Sequence, residues 1–334
     1  MLTPKENLME LLKPDGKPDH LMMDYEFCVP VMNDPLVRFC RGNRIKGKTT
    51  KDQWGTTYMW PEEQLFAFPS EQDLVCEDVT RWKETVHVPD LVANCSEESL
   101  WEDCRAAAEK VDRSEKLVTS VMGTGVFEQA HNLMGVSNAC MNFLLEPDDM
   151  LELLEAIGEY RFQYTKLLVD KLHPDLIISH DDWGSKNTLF ISPDTWREFI
   201  KPQYKKMYDY MKEHGVIIMH HSDSYCEPLV EDMVEMGIDI WQGVLNTNNI
   251  PAIQEKLQGR MVLMGGIDSV IDRADSTEEE IRAEVRHVCE TYGPGGHFIP
   301  SITYGGPGTL FPHVQPIIND EINRYNLETY GIGY

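Results

Sequence analysis

From about residue 117 onward the chain alternates short apolar runs with amphipathic helical patterns, and this alternation restricts its fold more than any other feature. LVTSVMG (117–123), DLIISHDD (175–182), VIIMHHSD (216–223), IDIWQG (238–243), RMVLMGGID (260–268) and HFIPSITYG (297–305) read as strands. Helices fall between them. Glu146-Pro147-Asp148-Asp149 opens one with proline and acids in its first turn. His173-Pro174 stops that helix, Ser192-Pro193-Asp194 opens the next, and Ser276-Thr277-Glu278-Glu279 has a capping pattern. Strands separated by helices must run parallel, joined by right-handed crossovers. LMMDYEF (21–27) adds a seventh strand, and one in the 74–88 region would make eight. The spacing therefore predicts an α/β fold, a (β/α)8 TIM-type barrel spanning residues 1–334. Residues 1–20 form an N-terminal extension with a short helix (Pro4 through Leu12), and the irregular stretch 40–115 forms an insertion over the barrel. No GxGxxG motif follows a strand, which weighs against a dinucleotide-binding sheet.

Composition narrows the partners. The 334 residues hold 30 Lys+Arg against 56 Asp+Glu, a net charge of −26. Nucleic acids and anionic lipids recruit basic surfaces, so neither is an expected partner. An acidic surface suits a protein partner with a basic patch. No run approaches the roughly 18 apolar residues of a membrane span, and the first residues lack the apolar core of an export signal. The expected setting is cytoplasmic, with the eight cysteines reduced because none has CxxC spacing. Met22, Met23, Met122, Met219 and Met264 fall in predicted strands and read as core packing.

Active sites of such barrels form at the carboxyl ends of the strands. Polar residues gather there: Asp24, Tyr25 and Glu26, then Glu128, then His180, Asp181, Asp182 and Trp183. His220, His221, Ser222 and Asp223 follow, with Trp241, Gln242, Asp268 and Tyr304 on later strands. Adjacent strand residues face opposite ways, so only one of His220 and His221 can face inward. His221 and Asp223 share a face and make a sound acid/base or metal-ligand pair.

The order of these features resembles the uroporphyrinogen decarboxylase superfamily, which includes corrinoid-dependent methyltransferases. The matching segments are KENLMELL with GKPDH, MGTGVFEQAHNLMG, HDDWGSKNTLFISPDTWREFIKPQYKKM, MHHSD, GIDIWQG and MGGIDS, which together cover most of residues 5–325. The resemblance implies a distorted eight-stranded barrel. Decarboxylases of the superfamily carry an early Arg-rich segment that grips a tetrapyrrole polycarboxylate. LMMDYEFCVP has no arginine, and the net charge opposes such a substrate. Zinc-dependent thiol methyltransferases carry a His-x-Cys pair and a late Cys. The matching positions are His221-Ser222-Asp223 and Ser301 or Thr303, so both sulfur ligands are missing. The resemblance then implies transfer in the opposite sense, an O-demethylase component that passes a methyl group to the Co(I) corrinoid of a partner protein. A methoxylated aromatic, vanillate-like in kind, is the expected donor, with Tyr25, Trp183, Trp241 and Tyr304 around its ring and Gln242 and Asp268 among the binding residues. His221 with Asp223 leads the catalytic candidates, followed by His180, Asp182, Glu128 and Tyr304. Oxygen and nitrogen ligands alone, His221 and Asp223 first, could hold zinc. Methylcobamide:thiol transfer, porphyrinogen decarboxylation and a non-catalytic ligand-binding barrel are the alternatives, and a homodimer is compatible with all of them.

Overall fold

The computed structural model describes residues 1–42, 44–302 and 310–333. Among these residues ten strands form two sheets. The main sheet is all-parallel and seven-stranded, in the order β1 (Cys28–Pro30), β5 (Leu117–Met122), β6 (Leu176–His180), β7 (Ile217–His221), β8 (Ile240–Val244), β9 (Val262–Ile267) and β10 (Phe298–Ile302). Three short strands, β2 (Thr49–Lys51), β3 (Thr57–Met59) and β4 (Phe68–Pro69), form a separate antiparallel sheet.

The main sheet curls. Cys28, Leu117, Leu176, Met219, Ile240, Val262, Met264 and Ile299, from all seven strands, meet in a single buried cluster. Residues of opposite ends of a flat sheet could not touch one another in this way, because neighbouring strands stand ~4.8 Å apart. The N-terminal helix Pro4–Leu11, started by a Thr3/Glu6 capping box, adds Leu8 and Leu11 to the cluster. Outside the curl, helices cover the strands with a larger apolar layer that includes Phe127, Leu154, Ile157 and Trp196. Met22, Met122, Met219 and Met264 are fully buried, as core packing requires, and all eight cysteines are free thiols.

The architecture is TIM-like, but two expected strands are not formed. Residues 21–27 turn instead of pairing. Asp24 takes a left-handed φ of 49°, which breaks an extended run, and Glu26 N–H turns back to the Met23 carbonyl. Met22 and Phe27 still pack inward, so the apolar pattern was a burial signal and not a strand signal. In the 74–88 region Asp78 accepts a hydrogen bond from Thr80 N–H and starts a 3-10 turn, Val79–Arg81. The short strand Cys28–Pro30, just past the expected first run, takes that run's place, so among the described residues the parallel sheet has seven strands, not eight. No helix among them is long and apolar enough to cross a membrane.

Candidate active site

Strand register assembles the site. At the carboxyl ends of three neighbouring strands, His180 of β6 stands beside His221 of β7, which stands beside Gln242 of β8. Residues in one lateral row point to the same face. The two imidazoles consequently stack, with centroids 4.4 Å apart and planes 20° from parallel. His221 Nδ1 and Gln242 Oε1 form a short hydrogen bond. His220, one residue earlier, faces the other way. It stacks on Trp183 at 4.0 Å and shares a hydrogen bond with Tyr208 Oη.

Glu128 reaches the row from the first turn of the helix Val126–Met134. Its Oε2 accepts from Gly125 N–H at 3.0 Å and pairs with His180 Nδ1 at 2.8 Å. That helix start is fixed by Asp181, the residue after β6. Asp181 accepts from Phe127 N–H, Glu128 N–H, Tyr204 Oη–H and Trp183 Nε1–H, at 2.7 to 3.0 Å. A Cβ at Gly125 would lie 2.0 Å from the Asp181 side chain, so only glycine allows the carboxylate this close to the helix end. Arg161, buried on the helix Pro147–Leu172, donates to the carbonyls of Gly123 and Thr124 and to Ser179 Oγ. It clamps the connection that leads from β5 into the Glu128 helix.

The carboxylates and imidazoles shift one another. Burial disfavours a charged His180, but the facing Glu128 charge and hydrogen bond outweigh it and raise its pKa to about 9. Burial likewise opposes ionised Glu128, and His180 overcomes this, lowering Glu128 to about 2. His221 is pushed down to about 4 by burial and by its charged neighbour His180. Burial, then the Glu128 charge, raises Asp182 to about 6; burial and Asp182 do the same for Asp223. The result is an ion pair, Glu128 with His180, beside a neutral His221.

His180, Asp182 and His221 each offer a donor atom, and these atoms lie within 4.8 Å of one another. The residues fit a metal ion. Each imidazole has its Nδ1 engaged, by Glu128 or Gln242, which supplies the outer hydrogen bonds that orient metal-bound histidines and leaves Nε2 as the ligand atom, at His180 once a metal displaces the Nε2 proton. Three nitrogen or oxygen ligands with a fourth position open is the pattern of a catalytic zinc site. Bonds of ~2.0 to 2.1 Å place tetrahedral ligands about 3.4 Å apart, so binding would draw the three side chains inward. Asp223 is outside this group; its backbone N–H donates to Asp182 Oδ1 at 3.0 Å, so it holds a ligand in place.

Beside the row lies a cavity of about 500 Å³, lined by Glu128 and His180, by Trp54, Tyr58 and Tyr160, and by Arg41 and Arg44. These aromatics are not the expected ones. Trp183 and Trp241 are 1% and 0% exposed and pack in the core, their indole N–H groups bonded to Asp181 and to the Ser222 carbonyl. Strand-end position put them near the rim, but their faces turn outward under the helices. Tyr25 packs beside Phe27 in the inner cluster. Asp268 caps the 3-10 turn Ser269–Ile271 and accepts from Asn246 Nδ2–H. Tyr304 lies outside the described residues. The wall residues Trp54 and Tyr58 come from the region around the small sheet, where no periodicity marked them; proximity in sequence to charged residues was the only signal.

Comparison with known proteins places this arrangement. The family model described as uroporphyrinogen decarboxylase (URO-D) matches residues 74–313, and the chain belongs to that family. No curated protein sequence matches the chain. A solved methyltransferase from Methanosarcina mazei superposes with a TM-score of 0.69 at 16% identity, covering 97% of this chain and 99% of that one. Such a likeness extends the shared fold over the whole length. A dihydropteroate synthase from Anaplasma phagocytophilum, with bound 6-hydroxymethylpterin-monophosphate, covers 53% of this chain and 69% of its own at TM-score 0.36 and 16% identity, too loose to carry an argument.

Proposed function

We propose that the protein is a methyltransferase that removes the methyl group of a methoxylated aromatic and delivers it to the Co(I) corrinoid of a partner protein. The observation that carries this reading is the His180, Asp182 and His221 group, a donor set of nitrogen and oxygen only, set against an aromatic-walled cavity. Activation of a thiol as nucleophile favours thiolate-rich zinc sites. Neither of two cysteines around the site supplies a thiolate: Cys226 is buried against Ser222 and Ser224 with its thiol pushed up to about 12 by burial, and burial pushes Cys40, on the cavity wall, up to about 12 as well. The fold shared with a methyltransferase supports the same reading.

In the proposed step the C–O bond of the ether breaks and a Co–C bond forms on the acceptor. The electron pair of the C–O bond stays on oxygen, which leaves as phenolate and takes a proton from solvent. Aryl ethers react only when charge on the departing oxygen is neutralised. Zinc held by His180, Asp182 and His221 would supply that neutralisation as a Lewis acid. Glu128 and Gln242 hold the two imidazoles in position through their Nδ1 atoms. Trp54, Tyr58 and Tyr160 wall the ring and exclude water from it.

The test mixes the metal-loaded protein with a reduced corrinoid protein and a panel of methoxyarenes, and follows the cobalt absorption. Methyl-cobalt should form with at least one donor, and His221→Ala should lose both transfer and bound zinc while keeping a cooperative melt. A silent spectrum across the panel, or near-normal turnover in His221→Ala, sinks the proposal.

A further inference from the structure

One face of the helix Val126–Met134 borders the 500 Å³ cavity. Glu128, Gln129, His131 and Asn132 line it, while Ala130, Leu133 and Met134 pack into the core. Three of these four polar residues are engaged. Glu128 holds His180, Asn132 Nδ2–H donates to Tyr58 Oη at 3.2 Å, and the His131 ring meets Phe127 in a T-shaped contact with centroids 5.3 Å apart. Gln129 differs. It is 4% exposed, and its Nε2 is buried without a hydrogen-bond partner. The helix satisfies its backbone, with Gln129 N–H donating to the Gly125 carbonyl at 2.9 Å, so the carboxamide is what remains unspent.

A buried amide donor with no partner destabilises the free protein, and folded proteins leave few of them. Beside a cavity, the missing partner is a ligand atom. We infer that Gln129 is a specificity-determining residue of this site: its carboxamide donates to an uncharged oxygen, hydroxyl or ether, that the methyl donor carries besides the methoxy group that reacts. This rests on the function proposed above and adds a rule of selection to it. Among the described lining residues, the other buried side-chain nitrogen without a partner is Arg44 Nε, and it belongs to a guanidinium already stacked 3.7 Å from the centre of the Tyr58 ring.

The wall around Gln129 favours a neutral partner. Glu128, the residue before it, is a carboxylate paired with His180, and a second anion brought beside it would be repelled. Burial lowers the pKa of His131 and keeps its imidazole neutral. A carboxamide is neutral too. Its nitrogen and oxygen exchange places by a half-turn about the last side-chain bond, whose torsion is broad, so the N–H turns to the cavity at little cost. Adjacent Cα atoms are ~3.8 Å apart, which sets the amide beside the residue that anchors His180, at the reacting end of the cavity. A donor lacking the oxygen would fill the same space and leave the amide unpaired. Unmet hydrogen bonds of this kind discriminate between ligands of equal shape.

Calorimetric titration of the intact protein with the 1,2-, 1,3- and 1,4-dimethoxybenzenes tests the inference, each paired with the ethyl-methoxybenzene of the same pattern, in which a methylene replaces one oxygen. At least one dimethoxybenzene should bind about five-fold or more tighter than its partner, beyond the roughly two-fold that two equivalent methoxy groups allow. In Gln129→Met and Gln129→Leu the members of that pair should differ by no more than this two-fold, while the unliganded variants melt at or above the wild-type temperature, because an unpaired amide has been removed. Binding that ignores the oxygen in every pair, a preference that survives in both variants, or no binding of any of the six ligands overturns the inference. Methyl transfer is read separately, since both members of each pair carry a methoxy group. A Gln129-dependent preference without methyl-cobalt formation refutes the transfer reaction and leaves the residue's role in binding standing; transfer at equal kcat/KM from both members of every pair does the reverse.

Discussion

Asp181 and His221 show how little a residue's type says until its face is known. Both sit at strand ends in acidic, histidine-rich runs. Asp181 faces the core, where four donors and Gly125 make it the peg that sets the Glu128 helix. His221 faces inward to His180. The alternation rule separated His220 from His221 correctly, because strand geometry alternates strictly. It could not foresee that Asp182 would join the histidines in place of Asp223, since the chain leaves strand geometry after His180 and His221. At the opposite end of the chain, His20 makes a pH prediction. It is fully buried against Asn7, Asp19 and Glu26. Burial alone would lower its pKa, but its hydrogen bonds to the Glu26 and Asp19 carboxylates raise it above the ordinary value. A raised folded pKa favours the protonated form in the native state, so this stabilisation is fully present just below pH ~6.5, the unfolded value. It is lost as pH climbs through the raised folded pKa, while at the acid end Asp19, whose own pKa is lowered, limits it. Melting temperature should therefore fall from pH 6 to pH 8.5, and His20→Gln should flatten that slope; parallel curves for the two proteins would count against the pairing.

The elements divide between those set locally and those set by their neighbours. Helix starts were legible, because capping is a short-range interaction: Thr3, Ser192 and Thr277 all accept from backbone N–H groups three residues on. The stretch from Phe127 to Phe143, continuous in pattern, is two helices, because Gly135 takes a φ of 83° between Met134 and Val136. The misread strand at 21–27 shows the converse, an apolar pattern that served packing without pairing. Arg161 carries the element-scale prediction. It joins the helix Pro147–Leu172 to the end of β5 and to β6 through three hydrogen bonds from a charged donor. Arg161→Met would leave two carbonyls unsatisfied and should cost about 2 to 4 kcal/mol in urea unfolding, since a charged hydrogen bond contributes roughly 1.5 to 3 kcal/mol. Transfer activity should fall further than stability alone explains, because the Gly123–Thr124 connection leads into the Glu128 helix. A variant with an unchanged unfolding midpoint would show the clamp to be dispensable.

For the whole molecule, the net charge of −26 is a long-range property and the cavity is a local one. The surface charge should draw a basic face on the proposed corrinoid partner, and exposed charges are screened over ~10 Å at 0.1 M salt. The second-order rate of methyl transfer should accordingly fall severalfold between 50 and 300 mM salt with little change in the rate at saturating partner; a rate indifferent to salt would mean the acidity serves solubility only. The acidity of the molecule as a whole does not extend inside, where Arg41 and Arg44 share the cavity wall with Asp52 and Glu128. The sequence by itself determined the parallel strand–helix architecture, the family and the row of polar strand ends, because each depends on periodicity or short-range spacing. Tertiary structure alone decided which aromatics wall the cavity, that Trp183 and Trp241 belong to the core, and that Arg41 and Arg44 line the same cavity as His180. Those outcomes depend on how separate elements pack, and no local pattern encodes which distant faces a curled sheet will bring together.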